Sequence, residues 1–316
     1  MMTAKQETKS TVKAVVQTKQ GSPDYLRLVE VEKPVPKEHE VLVHVHAATV
    51  TAGDVAMRKL PIFVFVPVQM MLGIPASNRI HGHEFAGQIE AVGKAVTKFK
   101  VGDSVFGTPK GARSGTYTEY LCLPESGVLA LKPARISYEE AAAIPIGAMT
   151  ALQVLKKGNI QRGQKVLVYG ASGSVGSYAV QLAKHFGATV TGVCSTSNIE
   201  LVKSLGADRV IDYTREDFTQ SGDRYDVIFD AVGKISRSMS QKLLKRPEGY
   251  LTVQTLTSEK AEYLRELREL LETGAIKAVI DRCYTLEQTP EAHRYVETGH
   301  KKGNVVISLE PALPAR

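Results

Sequence analysis

Lys165-Val166-Leu167-Val168-Tyr169-Gly170-Ala171-Ser172-Gly173-Ser174-Val175-Gly176 is the stretch whose reading decides the fold. Residues 165–169 form a near-continuous apolar run, the pattern of a strand buried on both faces of a parallel sheet. Closely spaced glycines follow, then a helix predicted over Tyr178 to Phe186 and a second strand over Thr189 to Cys194. Strand, glycine turn, helix and strand within about 30 residues are the context a dinucleotide fingerprint requires. Backbone N–H groups of such a turn approach a pyrophosphate closely. Gly170, Ala171, Ser172, Gly173, Ser174, Val175 and Gly176 are therefore predicted to bind cofactor. An acid about 20 residues past the loop would bind the adenosine ribose and repel a 2′-phosphate. The chain instead reads Cys194-Ser195-Thr196-Ser197-Asn198, with Lys203 nearby. Hydroxyl and amide donors suit a phosphomonoester, so NADPH is predicted over NADH.

Outward from this unit the α/β alternation continues. A helix is predicted over Glu200 to Leu205, with strands over Arg209 to Asp212, Asp226 to Asp230 and Tyr250 to Gln254. That succession predicts an α/β doubly wound sheet. Ser258 is the expected cap of an amphipathic helix carrying Leu264, Leu267, Leu270 and Leu271 on one face, and Gly274 stands where it would end. Upstream, Tyr138 to Ala143 and Ala148 to Lys156 read as helices, and the second domain is expected to begin near residues 125–135. Earlier still the character is β. Val41 to His46 alternates a valine face with a mixed one, and short runs at Gly87 to Val92 and Asp103 to Phe106 are punctuated by glycines, in the manner of a small barrel. The last strand is expected over Asn304 to Leu309.

Composition narrows the function classes. With 43% hydrophobic and 23% charged residues the 316-residue chain reads as globular. Its formal charge of +7 favours anions in general, but the Lys and Arg residues are scattered, no RNA-recognition motif is present, and nucleic acid is not expected as a partner. Cys122, Cys194 and Cys283 lie far apart and predict neither a disulfide framework nor a zinc knuckle. The polar opening, Met1 to Thr8, lacks an apolar core of the secretory kind, so a cytoplasmic protein with a frayed terminus is expected. The apolar run from Pro61 to Leu72 is broken by prolines and shorter than the roughly 18 residues a membrane span needs.

The chain resembles the medium-chain dehydrogenase/reductase superfamily, and within it the zinc-independent quinone oxidoreductase-like branch. Gly82-His83-Glu84-Phe85-Ala86-Gly87, Val101 to Gly107, Ala141 to Leu152, the glycine loop, Gly206-Ala207-Asp208 with Ile211-Asp212-Tyr213, and Gly303 to Ile307 carry the likeness. It implies a GroES-like β-barrel domain over 1–128 and 278–316, a Rossmann NADPH-binding domain over 129–277, and an active site in the cleft. It further implies Ser195, Asn198 and Tyr213 around the 2′-phosphate, Thr150 and Asn304 near the cofactor, and the backbone of Val232 and Gly233 near the adenosine ribose. Relatives usually insert a loop and another strand where this chain passes from Thr255 to Ser258. The sheet is therefore expected to be shortened at one edge, and the protein to be a monomer or an unconventional dimer.

Zinc members of that family hold the metal through Cys, His and Cys; the matching positions are Thr51, His83 and the Ile146-Gly147 region. One imidazole cannot hold Zn²⁺, which takes three protein ligands and a water at a catalytic site, so no metal is expected. His83 then reads as a buried, hydrogen-bonded histidine, and Asp54 with Arg58, four residues on, as a structural ion pair. Without a Lewis acid, conjugate reduction is the easier chemistry, needing hydride delivery and an enolate held by hydrogen bonds. The reading is an NADPH-dependent reductase of lipophilic quinones or activated alkenes such as enones. Thr51 is assigned to the nicotinamide ribose or the substrate, and water or Tyr117 to the final proton. Phe63, Phe65, Met70 and Met71 line either a lipophilic pocket or the core. The alternatives are a zinc-type alcohol or aldehyde dehydrogenase, and a non-catalytic NADPH-binding sensor or RNA-binding relative.

Overall fold

The computed structural model describes residues 10–61, 63–64, 67, 80–112, 114–220 and 222–309. Two compact units emerge: residues 1–131, 283–299 and 306–316, and residues 132–282 with 300–305. The first opens with strands β1 (Thr11–Gln17), β2 (Leu26–Glu32) and β3 (Glu40–Val50). Helix α1 (Ala52–Lys59) follows, then β4 (Phe85–Val92), β5 (Ser104–Gly107), β6 (Tyr120–Pro124) and β7 (Leu129–Leu131).

In β3 the valines at 41, 43 and 45 are fully buried while His44 and His46 are half-buried, as a strand with one face on the core requires. Those valines pack with Phe85, Ile89, Val105, Leu121 and Leu123. β3 runs antiparallel to β4 and to β6, and two register shifts against β4 bend it.

The second unit contains α2 (Tyr138–Ala142), α3 (Pro145–Lys157), β8 (Lys165–Tyr169), α4 (Ser174–His185) and β9 (Thr189–Cys194). It continues through α5 (Ile199–Ser204), β10 (Arg209–Asp212), β11 (Val227–Asp230), α6 (Arg237–Leu243), β12 (Tyr250–Thr252) and α7 (Ala261–Thr273). The chain ends on β13 (Ile280–Thr285), α8 (Thr289–Glu297) and β14 (Asn304–Ser308).

Strands β8 to β12 form a parallel sheet in the order β10-β9-β8-β11-β12. This is the doubly wound order, with the chain switching direction between β8 and β11. Val166, Leu167 and Val168 are fully buried, which explains the near-continuous apolar run. β12 is the sheet's last strand and only three residues long, and none follows it among the described residues before α7. The other large sheet runs β13-β14-β3-β4-β5-β7, with β6 also on β3.

Two expectations differ from the structure, and one helix was not foreseen. Ser258 does not cap α7, which starts at Ala261 with Lys260 in the cap position and no side-chain cap. The Ser258 N–H instead donates to Gln153 Oε1, 2.9 Å away on α3, a partner no local pattern announces. Helix α6 escaped the periodicity, being short and polar; Ser236 caps it by accepting from the Met239 N–H at 3.2 Å. Residues 278–282 and 300–305, expected with the barrel, fall in the second unit, where the Gly303 N–H donates to Ser172 O at 2.8 Å.

Leu167 lies mid-strand with no exposed surface, whereas Leu256 is 91% exposed. Leu167→Ala is expected to cost about 2–5 kcal/mol in urea unfolding, and Leu256→Ala to stay within about 0.5 kcal/mol of wild type.

Candidate active site

The glycine loop joins β8 to α4 by a contact that only glycine permits. A Cβ on Gly176 would stand 2.1 Å from Gly170 O, so helix and strand end meet at backbone distance. Gly170 has φ +77, the left-handed region that side chains disfavour, and a Cβ there would stand 2.3 Å from Val232 Cγ2. A Cβ on Gly173 would meet nothing nearer than Gly170 O at 3.5 Å, which leaves open space over the helix start. Gly173 is the N-cap of α4 and offers no side-chain cap. The N–H groups of Ser174, Val175 and Gly176 thus have no carbonyl within the helix to reach, the condition under which a helix start holds an anion.

Neighbouring segments are tied to this loop. The Gly170 and Ala171 N–H groups both donate to Val193 O, fixing the end of β9 beside the turn. Asn198 Nδ2 donates to Ser172 Oγ and to Ser195 Oγ, each at 3.1 Å, so three residues predicted for the cofactor do come together. Asn198 is buried and its Oδ1 has no hydrogen-bond partner among the described residues. Ser174 Oγ donates to Asn304 Oδ1 at 2.6 Å, and Asn304 Nδ2 donates to Val279 O at 3.1 Å. Thr150 is half-buried on α3, one turn beyond Gly147, whose Cα faces Ser174 so closely that a Cβ would stand 2.4 Å from Ser174 Oγ.

Tyr213 is half-exposed with its ring 6.5 Å from that of Tyr169, and its N–H donates to Cys194 O. Lys203, expected near the phosphate, pairs instead with Glu200 at 2.9 Å one helical turn away. The open cradle at Gly173 and the uncapped N–H groups of the helix start fit the pyrophosphate of a dinucleotide, whereas Asn198 Oδ1, an acceptor, calls for a donor such as a hydroxyl.

One member of this unit was missed in the sequence. Asp230, fully buried at the end of β11, accepts from the N–H groups of Val232 (3.0 Å), Gly233 (2.7 Å) and Ile235 (2.7 Å), and from the Tyr250 hydroxyl (3.1 Å). A signal was available: an acid closing an apolar strand, with a glycine three residues on, is the pattern of a side chain capping its own turn.

The first unit holds a second polar cluster. Thr51 caps α1: its Oγ1 accepts from the Asp54 N–H at 3.0 Å and donates to Asp54 Oδ2 at 2.6 Å. The other Asp54 oxygen, Oδ1, accepts a hydrogen bond from His83 Nδ1 at 2.6 Å. Burial works against the Asp54 carboxylate, but the His83 imidazole and the bonds from His83 and Thr51 outweigh it and hold Asp54 down at about 2. His83 is 27% exposed along its side chain, so it is half-buried, where full burial was expected.

The Asp54–Arg58 ion pair does not form. Arg58, fully buried, pairs with Glu297 at 2.8 Å, with its Nε 3.4 Å from His293 Nδ1. Burial pushes His293 and His81 down to about 4. Tyr117 is fully buried and donates to Thr49 O at 3.2 Å. Burial, then the Asp54 and Glu84 carboxylates, push its hydroxyl well above the usual tyrosine range. The phenol is thus sealed from solvent and engaged by a backbone carbonyl in this structure.

Among the described residues no three His, Cys, Asp or Glu side chains are grouped so as to hold a metal ion, and no helix is long and apolar enough to cross a membrane. Phe63 is 77% exposed; Phe65, Met70 and Met71 lie outside the described residues.

Residues 37–133 match the family described as the alcohol dehydrogenase GroES-like domain, and residues 174–297 that described as zinc-binding dehydrogenase. The chain is 36% identical to the 2-methylene-furan-3-one reductase of Solanum lycopersicum, over 96% of this chain and 80% of the relative. It is 33% identical to the chloroplastic NADPH-dependent alkenal/one oxidoreductase of Arabidopsis thaliana, over 94% and 79%. The quinone oxidoreductase structure from Coxiella burnetii superposes with a TM-score of 0.81 at 27% identity, over 95% of this chain and 100% of that one. The chain belongs to the medium-chain dehydrogenase/reductase superfamily, in its quinone oxidoreductase-like branch, with a GroES-like domain and a Rossmann-like parallel sheet.

The histidine values fix an acid response. The His293 ring titrates at about 4 in the fold against an ordinary 6.5, so between those values the unfolded chain binds a proton that the folded chain does not. Stability should fall as pH drops from 6.5 to 4, by on the order of 1–3 kcal/mol for this group. Asp54 adds to the loss below 3.8, because its carboxylate is protonated more readily when unfolded. Urea midpoints against pH should show this slope, flattened in part in His293→Asn with His81 keeping the rest; an identical slope in the variant contradicts it.

Proposed function

We propose that this chain is an NADPH-dependent reductase of quinones and activated alkenes, working without zinc. One observation carries the reading: Asn198 Nδ2 is bonded to both Ser172 and Ser195, and no acid ends β9. Because the serine oxygens accept from Asn198, their own protons are left to donate, which suits a 2′-phosphate. Tyr213, half-exposed beside this pair, completes the assignment. A further donor set belongs to the pyrophosphate: the N–H groups of Ser174, Val175 and Gly176 at the start of α4. Thr150 and Asn304 are assigned to the neighbourhood of the cofactor and the Val232–Gly233 backbone to the adenosine ribose, in line with the family likeness.

When bound, the dinucleotide supplies a hydride to the β-carbon of the alkene or to the quinone. The protein has then to stabilise the charge that develops on oxygen. Thr51 has its proton engaged by Asp54, so toward a ribose or substrate hydroxyl it acts as acceptor. With Tyr117 sealed, water supplies the final proton.

Zinc independence rests on the donor set. Thr51 is spent on a helix cap and Gly147 has no side chain, which leaves His83 as the one possible ligand of the three matching positions. The names of the tomato and Arabidopsis relatives, one a methylene-furanone reductase and the other an alkenal/one oxidoreductase, support an unsaturated carbonyl as substrate. The three-residue edge strand β12 favours a monomer or an unconventional dimer.

Steady-state assays with quinones, enones and aldehydes should show turnover of the first two with NADPH preferred, unaffected by chelator. NADH preference, turnover of aldehydes alone, or stoichiometric zinc in protein purified without chelator would overturn the proposal. Ser195→Asp places an acid at the end of β9 and should lower kcat/KM for NADPH about tenfold or more while sparing NADH.

A further inference from the structure

We propose that Asp230 is a positioning residue for the dinucleotide, acting through the backbone of residues 231–235 rather than by touching the ligand. The inference rests on the dinucleotide reading above and goes beyond it in assigning what holds the second wall of the site.

In a doubly wound sheet a ligand lies outside the carboxyl ends of the strands, where the order reverses. Here the reversal falls between β8 and β11, which are hydrogen-bonded neighbours. The glycine loop leaves β8 and forms one wall of that crevice. The segment leaving β11, Ala231 to Ile235, forms the other. They are matched in shape: Val232 Cγ2 occupies the space over Gly170, 2.3 Å from where a Cβ would stand.

Asp230 fixes this second wall. Oδ1 accepts from the N–H groups of Val232 and Gly233, and Oδ2 from the Ile235 N–H and the Tyr250 hydroxyl. Four donors converging on one fully buried carboxylate hold the turn, including Gly233 at φ +75, in a single shape. The Gly233 carbonyl accepts from Gln254 Nε2 at 3.4 Å and the Ile235 carbonyl from the Tyr250 hydroxyl at 3.1 Å, so both polar sides of the turn are held by the protein itself. Placement of that quality, supplied from behind, is what binding groups need in order to be preorganised.

Asp230→Asn keeps the volume but presents an amide NH₂ to one of the two donor pairs, freeing that side of the turn. The dissociation constants of NADPH and NADH, followed by fluorescence quenching of the reduced nicotinamide, should both rise about tenfold or more, since the segment serves the part the two share. KM for NADPH should rise in step, with kcat at saturating cofactor within about twofold. Tyr250→Phe, which removes one donor and leaves three, should shift both constants in the same direction by less than about threefold. Should Asp230→Asn fail to fold, Gly233→Ala strains the same turn with the carboxylate intact and has to weaken both dinucleotides likewise. A folded Asp230→Asn protein with wild-type dissociation constants, or a fall confined to kcat, overturns the inference while the dinucleotide reading stands. A wild-type chain binding neither NADPH nor NADH removes both.

Discussion

The contact on which the second unit depends is the approach of Gly176 to Gly170 O, closer than any side chain allows. It sets the start of α4 directly over the end of β8, and everything else at the loop is measured from there. The Gly170 and Ala171 N–H groups turn to Val193 O, which registers β9 against the turn and brings Asn198 over Ser172. Ser172 O takes the Gly303 N–H, and Ser174 takes hold of Asn304. A segment from the far end of the chain is thereby fastened beside a loop some 130 residues earlier, the separation of Ser174 and Asn304. Widening the first contact by one methyl group would disturb every later one.

What could be read in the sequence follows from the range of the forces involved. The parallel strands were legible almost to the residue, because burial on both faces leaves an apolar run with polar ends: Val166 to Val168 and Val227 to Phe229 have next to no exposed surface. Gly274 was legible as the stop of α7, since its φ of +74 is a backbone demand that glycine meets at least cost. Distant side-chain partners left no such trace. Nothing around Arg58 announces Glu297, 239 residues away, and the nearer Asp54 looked the better match. Asp54 is taken by Thr51 and His83 instead, because a capping box satisfies two backbone donors that an ion pair would leave open. Ser258 was misread for a similar reason: the Gln153 side chain competes for it from another helix.

The polar cluster of the first unit shows how much charge can be buried once each group has a partner. Asp54 and Arg58 lie on one helix with no exposed surface, yet each looks to a different element for its counter-group. His293 lies beside Arg58 and Tyr117 and is kept neutral first by burial and then by the Arg58 guanidinium, which together outweigh the pull of the Asp54 and Glu297 carboxylates. A histidine held by a carboxylate through one ring nitrogen is also the arrangement that prepares the other nitrogen for a metal.

The proposed phosphate end differs from sites built on arginine or lysine. Lys203 is turned to Glu200, so no cation among the residues assigned to the 2′-phosphate meets it directly. Selection would then come from two weaker sources: hydroxyls whose protons Asn198 frees for donation, and the lack of an acid that would repel the ligand. The formal +7 charge raises the concentration of any anion near the surface but does not distinguish one dinucleotide from another at the pocket. Neutral donors contribute less than a fork of charged ones and are less weakened by salt. A preference for NADPH built in this way should be moderate in size and little affected by ionic strength, whereas overall affinity for either dinucleotide should fall as salt screens the surface charge.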